Sequence, residues 1–338
     1  FDECLLEAAT PTVLGHLFFN RMQAVAYGNL EKHQLLSKIN REFRNSLKGA
    51  YEQNREKNES FFKCVEYLGK ILSNCNCSYA MLKGAFLCKW YPEGYRTSND
   101  IDLLVHPNDV TEIGNMLLKS GFNQGNIHGG KFQPASRKEI IESRMTRGET
   151  VPYIKEVNLP GMPFLEVDIN FSLDYKPGDT GLLKEMMQNT VTEQIQDFRV
   201  RTLNKDDFFI HLCSHLYKEA TTLPWVEMMR DMTLYKYCDI YMLLNDEPKE
   251  NIDLLFGRAK ALGMEKICAF AIYHMAELFN FKNTYAISVA KSILSDDCDF
   301  VHTVISPKEK KKYIFIERDI TNRFFSDSRK LLLKEVKS

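Results

Sequence analysis

The stretch Asp100-Ile101-Asp102-Leu103-Leu104-Val105 decides how the rest of the chain is read. It sets two carboxylates one residue apart at the opening of an otherwise apolar run. A strand has period two, so Asp100 and Asp102 share one face while Ile101 and Leu103 take the other. Two carboxylates held side by side repel, and burying them without compensation is costly. A divalent cation is the usual compensation, because hard Mg²⁺ prefers oxygen ligands and brings phosphates with it. For a bare Asp-x-Asp, two solvated acids near the start of an edge strand are the commoner reading. The surroundings of the pair change that.

Upstream, Tyr79-Ala80-Met81-Leu82-Lys83-Gly84 reads as a short apolar strand ending in Lys-Gly, followed by the helix-like Phe86 to Tyr91. Strand, glycine and helix start together make a place where backbone N–H groups can meet a phosphate. The turn-rich segment Pro92 to Asn99 then delivers Arg96 four residues before Asp100. A Lys-Gly turn alone is most often a plain helix entry. The ordered set of Lys-Gly, Arg and Asp-Ile-Asp is far more specific.

Leu82-Lys83-Gly84, Tyr91-Pro92, Arg96 and Asp100 to Val105 together resemble the signature of an uncharacterised nucleotidyltransferase family within the DNA polymerase beta-like superfamily. The helix-like Pro107 to Gly121, the segment Phe208 to Leu216 and the segment Trp225 to Asp231 extend the resemblance over roughly residues 15–280. It implies an α+β fold, with a small mixed β-sheet flanked by N-terminal and C-terminal helical regions. The boundaries expected are 1–74 for the first helical region, 75–204 for the nucleotidyltransferase core and 205–338 for the second. The chain departs from the superfamily at Ala85, where a second glycine or serine is usual, and its gap to Asp100 is long. A serine contact to the phosphates is thereby lost, leaving Lys83 and Arg96 as the residues to replace it.

The superfamily chemistry also implies a third carboxylate on a neighbouring strand. Phe164 to Phe171 alternates, placing Glu166, Asp168 and Asn170 on one face and Leu165, Val167 and Ile169 on the other. By itself this is an ordinary half-exposed strand. Position in the resembling family favours Asp168, with Glu166 as the competitor. The implied activity is transfer of NMP from an NTP to an acceptor hydroxyl or phosphate. Two Mg²⁺ ions about 4 Å apart, with Mn²⁺ able to substitute, would clamp attacking and leaving oxygens. Asp100 and Asp102 would bridge both metals, and Asp168 would hold the metal nearer the acceptor and accept its proton. Lys83, Gly84 and Arg96 fall on the phosphate side, where an arginine can offer a bidentate fork.

The acceptor stays open: a small molecule, a sugar, a peptide or protein side chain, or an RNA end. A toxin-like enzyme modifying tRNA or protein is the runner-up within this chemistry. A degenerate binding or scaffold protein of the same fold is the alternative from another class. Retention of Asp100, Asp102 and a third acid speaks against degeneration.

Composition agrees with a soluble enzyme. The 338 residues exceed a usual single domain, and 44% hydrophobic residues suffice for a large core. No stretch approaches the ~20 uninterrupted apolar residues of a membrane span. The opening Phe1-Asp2-Glu3 is not a basic leader segment. Nine scattered cysteines without Cys-x-x-Cys spacing read as reduced thiols, hence a cytoplasmic location. With 44 basic against 45 acidic residues, the chain lacks the basic footprint of a protein that coats nucleic acid.

The remaining organisation is helical around the small sheet. Leu14, Leu17, Phe18 and Met22, then Phe61, Phe62, Val65, Leu68 and Ile71, keep helical spacing, and Lys48 to Ser60 reads as one long exposed helix. Strands are expected near 79–83, 100–105, 152–158, 164–171 and 198–203. Helices return from Lys205, with Asn204 as N-cap. Lys131, Arg137, Lys138, Arg144 and Arg147 lie between the two acidic strands, as a polar helical insertion or a mobile lid bringing cations to the triphosphate. Lys308 to Lys312, after Ser306-Pro307 at what looks like a helix start, reads as a solvated surface or fraying helix, and His128-Gly129-Gly130 as a flexible turn in a plain loop. His211 and His215, four apart on a helix, have metal-pair spacing but no acid between them, and packing is the preferred reading.

Overall fold

A computed structural model of the chain describes residues 7–73, 75–146, 148–173 and 180–336. The alternation at Asp100–Val105 becomes a strand of a six-stranded sheet. Its members are β1 (Tyr79–Met81), β2 (Asp100–Val105), β3 (Asn123–His128), β4 (Lys131–Pro134), β5 (Tyr153–Leu159) and β6 (Met162–Asn170). Their order across the sheet is β1-β2-β6-β5-β3-β4. The β2–β6 pair is parallel and the other pairs are antiparallel, so the sheet is mixed. Parallel neighbours need a long crossover, and the whole segment from 106 to 161 supplies it.

One face of this sheet is a core. Ile101, Leu103, Val105, Leu165, Val167 and Ile169 are fully buried and pack with Phe61, Val65, Leu68, Ile113 and Leu117. The sheet and the helices around it make up a first compact unit, Phe1–Asn204. The helices are α1 (Pro11–Phe19), α2 (Gln23–Lys32), α3 (Arg41–Leu72), α4 (Gly84–Leu87), α5 (Val110–Lys119), α6 (Arg137–Thr146) and α7 (Thr180–Gln188). The 32-residue α3 starts at Asn40, whose side chain accepts from the Phe43 N–H at 2.8 Å. The charged stretch 48–60 is continuous helix, as its lack of proline predicted. Tyr27, Ile39, Phe43 and Leu47 form a separate small core beneath α1 and α2.

The second unit, Lys205–Ser338, begins with α8 (Lys205–Ala220) and continues through α9 (Leu223–Glu227), α10 (Leu234–Leu244), α11 (Lys249–Ala261), α12 (Glu265–Leu278), α13 (Thr284–Leu294) and α14 (Ile320–Phe325). Asp207 of α8 is fully buried and receives both Nε (2.7 Å) and Nη2 (3.1 Å) of Arg258 on α11. His211 is buried within α8, while the His215 Nε2 lies 3.1 Å from Glu219 Oε1.

Several local expectations need correction. The stretch 190–195 pairs with 198–203 as a two-stranded sheet, β7 (Thr190–Ile195) and β8 (Phe198–Leu203), and only the second strand was expected. His128-Gly129-Gly130 is a turn, as expected, but it joins β3 to β4 in a hairpin whose strands were not expected. Gly129 and Gly130 take φ of +57° and +73°, the left-handed region that favours glycine. Lys308 to Lys312 is a hairpin, not a helix start. It joins β9 (Thr303–Ser306) to β10 (Lys311–Phe315), and β11 (Leu333–Glu335) completes a three-stranded sheet in the expected helical region. Charge misled there, because lysines suit an exposed hairpin as well as a helix.

The second unit also buries a cationic knot. Arg329 Nη1 donates to Asp231 Oδ1 at 2.6 Å, and its other nitrogens donate to the carbonyls of Arg323 and Phe324. Arg323, 1% exposed, faces the Phe315 ring and lies 3.4 Å from ring nitrogens of both His302 and His274. Burial, and then the Arg323 charge, push His302 down to about 4 and His274 well below the usual histidine range. Since the unfolded chain protonates these rings near pH 6.5, their neutral state favours the fold above that value. The contribution is lost as pH falls from about 6.5 towards 4. Urea midpoints should therefore fall on moving from pH 7.5 to 5. The His302→Gln variant should lose about 1–2 kcal/mol less over that interval than the wild type; equal losses in the two proteins would show that His302 carries none of it.

Candidate active site

The turn after β1 is built around a strained lysine. The Leu82 N–H donates to the Asp102 carbonyl at 2.9 Å, prolonging the β1–β2 pairing by one residue. Lys83 then adopts φ 45° and ψ −116°, a conformation that costs a residue with a Cβ on the order of 1–3 kcal/mol. Two local interactions hold it. Its carbonyl accepts from the N–H groups of Phe86 (3.0 Å) and Leu87 (2.7 Å), and its ammonium meets Asp102 Oδ1 at 2.7 Å. The strain aims the lysine at the acids.

Gly84 is required by a close approach. A Cβ there would lie 2.4 Å from Ser98 Cβ and 2.6 Å from Ser98 Oγ. Ser98 occupies that space in order to donate its hydroxyl to Asp100 Oδ1 at 2.9 Å. Lys-Gly and Ser98 are thereby parts of one arrangement. Sequence reasoning passed over Ser98; its signal was its position two residues before Asp100.

The parallel register between β2 and β6 assembles the carboxylates. Asp102 lies opposite Asp168, Asp100 opposite Glu166 and Leu104 opposite Asn170. Period-two alternation puts Asp100, Asp102, Glu166, Asp168 and Asn170 on the face away from the apolar core. Asn170 Nδ2 approaches Asp102 Oδ1 at 3.4 Å. Asp102 is buried, and Asp100, Glu166 and Asp168 are half-buried. Both candidates for the third acid thus share the face, with Asp168 directly across from Asp102.

Electrostatics separates these acids. Burial, reinforced by Asp102 and Asp100, pushes the Asp168 carboxyl well above the usual carboxylate range. Burial also raises Asp102, against the pull of Lys83, and raises Glu166 with help from Asp100 and Asp102. Asp100 goes the other way: although burial opposes it, the Lys83 ammonium and the Ser98 hydroxyl hold its carboxyl below the usual range. Lys83 itself, lowered by burial, is raised further by Asp102 and Asp100 and stays an ammonium. Lys83 acts on Asp100, Asp102 and Asp168, Arg96 and Lys57 add positive charge near Asp100, and Asp168 is pushed furthest up.

That imbalance bears on whether a divalent cation fits. The donors are oxygens only, as a hard cation prefers, and several are carboxylates. The raised carboxyls mark negative charge that the protein alone does not neutralise. The acids nevertheless stand apart. Among the described residues, the one set of three His, Cys, Asp or Glu ligand atoms within 4.8 Å of one another is elsewhere, at Cys75, Cys77 and Glu112. Mutual repulsion, with Lys83 drawn to Asp102, accounts for the spacing. The donor chemistry fits Mg²⁺, and side-chain rotation would bring the oxygens together.

Around the acids, Arg96 is held by its backbone. Its carbonyl accepts from Asn58 Nδ2 (2.9 Å) and Cys88 Sγ (3.4 Å), its guanidinium donates to the Thr97 carbonyl, and its charge helps lower Asp100. Lys57 of α3 contacts Asn99 and also feels Asp100. Neither Asn58 nor Lys57 could be found from local sequence, because each lies on a helix about 40 residues upstream of its partner. The expected cationic insertion is β4 and α6. Ser136 and Glu139 cap α6 reciprocally, with the Ser136 N–H to Glu139 Oε2 at 2.7 Å and the Glu139 N–H to Ser136 Oγ at 3.3 Å. Arg144 reaches Thr111 at 3.2 Å, Lys131, Arg137 and Lys138 are exposed, and Arg147 lies outside the described residues.

Two outcomes follow from this geometry. Gly84→Ala should cost about 1–3 kcal/mol in chemical denaturation, and Ser98→Gly in the same chain should recover part of that loss. A Gly84→Ala variant with wild-type stability would contradict the close approach. Asp168→Asn removes an uncompensated carboxylate, so its thermal midpoint in EDTA should lie above that of the wild type at neutral pH. A lower midpoint would show that the ionised Asp168 is already balanced within the fold.

The chain is similar in structure to an antigenic nucleotidyltransferase-like protein from Paracoccidioides brasiliensis. The two share 14% identity over 62% of this chain and 94% of that one, with a TM-score of 0.36. No curated protein matches the chain in sequence. The model of the family described as uncharacterised nucleotidyltransferase matches residues 11–280, running from α1 to the end of α12. With most of its length so matched, the chain belongs to the uncharacterised nucleotidyltransferase family.

Proposed function

We propose that the protein is a Mg²⁺-dependent nucleotidyltransferase that moves NMP from an NTP to an acceptor hydroxyl or phosphate. One observation carries the reading: the β2–β6 register sets Asp102 opposite Asp168, with Asp100 on the same face and the Lys83 ammonium 2.7 Å from Asp102. An ordinary surface strand has no use for such crowding, since like charges on adjacent strands destabilise a sheet. Membership of the family supplies the reaction class.

Asp100, Asp102 and Asp168 hold the cation, with Mn²⁺ able to take the place of Mg²⁺. When bound, the cation supplies positive charge against the triphosphate and Lewis acidity at the transferred phosphoryl group. Lys83 shares its ammonium between Asp102 and phosphate oxygens, Gly84 offers its backbone to the same phosphates, and Arg96 presents a fork that can bind two oxygens. Ser98 fixes the Asp100 carboxylate so that its orientation survives the arrival of the nucleotide. The bond from the acceptor oxygen to the α-phosphorus forms as the bond to the bridging α–β oxygen breaks, and pyrophosphate departs. The acceptor's proton passes to a carboxylate oxygen of Asp168, whose basicity its neighbours raise. Small molecules, sugars and protein side chains all present suitable hydroxyls.

The test is incubation with α-labelled NTPs and a cell extract, with the label then followed into small molecules, RNA and protein. Transfer should require Mg²⁺ or Mn²⁺ and fall at least about a hundredfold in Asp102→Asn and in Asp168→Asn. Full transfer by Asp102→Asn would sink the assignment. In a parallel thermal-shift series, an NTP should stabilise the wild type only with Mg²⁺ present. Metal-independent stabilisation would point to a binding protein of the same fold.

A further inference from the structure

The β1–β2 hairpin carries a second cluster of ligand atoms, before β1 rather than after it. Cys75 follows the end of α3, Cys77 precedes β1 by one residue, and Glu112 lies in the first turn of α5. The two Sγ atoms and a Glu112 carboxylate oxygen all lie within 4.8 Å of one another. Tetrahedral coordination at Zn–S of about 2.3 Å places two sulfurs about 3.8 Å apart. Small side-chain rotations would close the present spacing to that value.

The backbone fixes the thiols in this place. The Cys75 N–H donates to the Leu72 carbonyl at 3.0 Å, and the Cys77 N–H donates to Cys75 Sγ at 3.2 Å. The Cys77 carbonyl accepts from Arg201 Nη1 at 3.4 Å, and the Ser78 N–H donates to Asp109 Oδ2 at 3.3 Å. Cys77 is buried and Cys75 half-buried, while Glu112 is exposed and leaves a path for an ion to enter. Two sulfurs and one carboxylate are a borderline-soft donor set, unlike the all-oxygen cluster at the other end of the hairpin. Such a set favours Zn²⁺ over Mg²⁺.

We propose that Cys75, Cys77 and Glu112 form a Zn²⁺ site distinct from the carboxylate cluster, tying the end of α3 and the start of β1 to the N-terminus of α5. Both thiol protons leave as the ion binds, and water completes the coordination. The cysteine pair and Glu112 come from two segments more than thirty residues apart in sequence, so the ion cross-links them while its fourth position stays open to water. This site is independent of the nucleotidyl transfer reading.

The test uses the whole chain, freed of metal with a chelator under reducing conditions and titrated with Co²⁺. One equivalent should give a near-ultraviolet thiolate-to-cobalt charge-transfer band, and Zn²⁺ should abolish it. Cys75→Ser and Glu112→Gln change less buried positions, so both should fold, with wild-type circular dichroism in EDTA. Each should bind Zn²⁺ at least about tenfold more weakly. The band should persist in Asp102→Asn and Asp168→Asn, which separates this site from the carboxylates. The proposal fails if no band appears, if the band survives in Cys75→Ser, or if Asp102→Asn removes it. A Cys75–Cys77 disulfide recovered under the same reducing conditions would also overturn it.

Discussion

Everything at the candidate site depends on the repulsion among four carboxylates held on one sheet face by two parallel strands. The β2–β6 register fixes the backbone positions of Asp100, Asp102, Glu166 and Asp168, so side-chain rotation alone can relieve their repulsion. That register is fixed in turn by the fully buried side chains on the opposite face. A slip by one residue would send the acids into the core and the leucines to solvent. The apolar side of the sheet thus enforces the electrostatic tension on the other side. Lys83 relieves only part of it, and its strained backbone shows that even this partial relief carries a conformational cost.

This tension also separates the acids in their affinity for protons. Asp100 has the Ser98 hydroxyl and a share of Lys83, so it stays ionised. Asp168 has burial and three acidic neighbours, so it is the carboxyl most eager for a proton or a cation. Glu166 shares the face but sits opposite Asp100 rather than Asp102. Its position makes it a contributor to the field around Asp168.

The sequence made the acids legible because strand periodicity is a local property. Asp100 and Asp102 had to share a face, and so did Glu166, Asp168 and Asn170. What joined the two sets was a parallel pairing across more than sixty residues, and no local pattern encodes that. The family resemblance supplied it. The supporting residues were less legible for the same reason: Ser98 matters because Gly84 lets it approach, and Asn58 and Lys57 reach the site from a helix far upstream. The β3–β4 and β9–β10 hairpins were missed because their strands are short and polar, so glycine turns and lysine runs were the only signals, and both also suit loops and helix ends. The buried Arg323 and Arg329 left no signal at all, since arginine in sequence reads as surface.

The β1–β2 hairpin gathers these threads. Its Lys83–Asp100 end presents hard oxygens, and its Cys75–Cys77 end presents sulfur. Carboxylate sites bind Zn²⁺ at least as tightly as Mg²⁺ when affinity alone decides. A protein that uses Mg²⁺ at one end of a hairpin therefore gains from separating soft ligands from hard ones. Both thiols of the Cys75–Cys77 pair are held before β1 by backbone hydrogen bonds, away from the Lys83–Asp100 end. The same separation leaves the oxygen cluster with an unmet charge that a cation bringing phosphates can satisfy. On this view selectivity lies less in any single ligand than in which end of the hairpin each ligand type occupies.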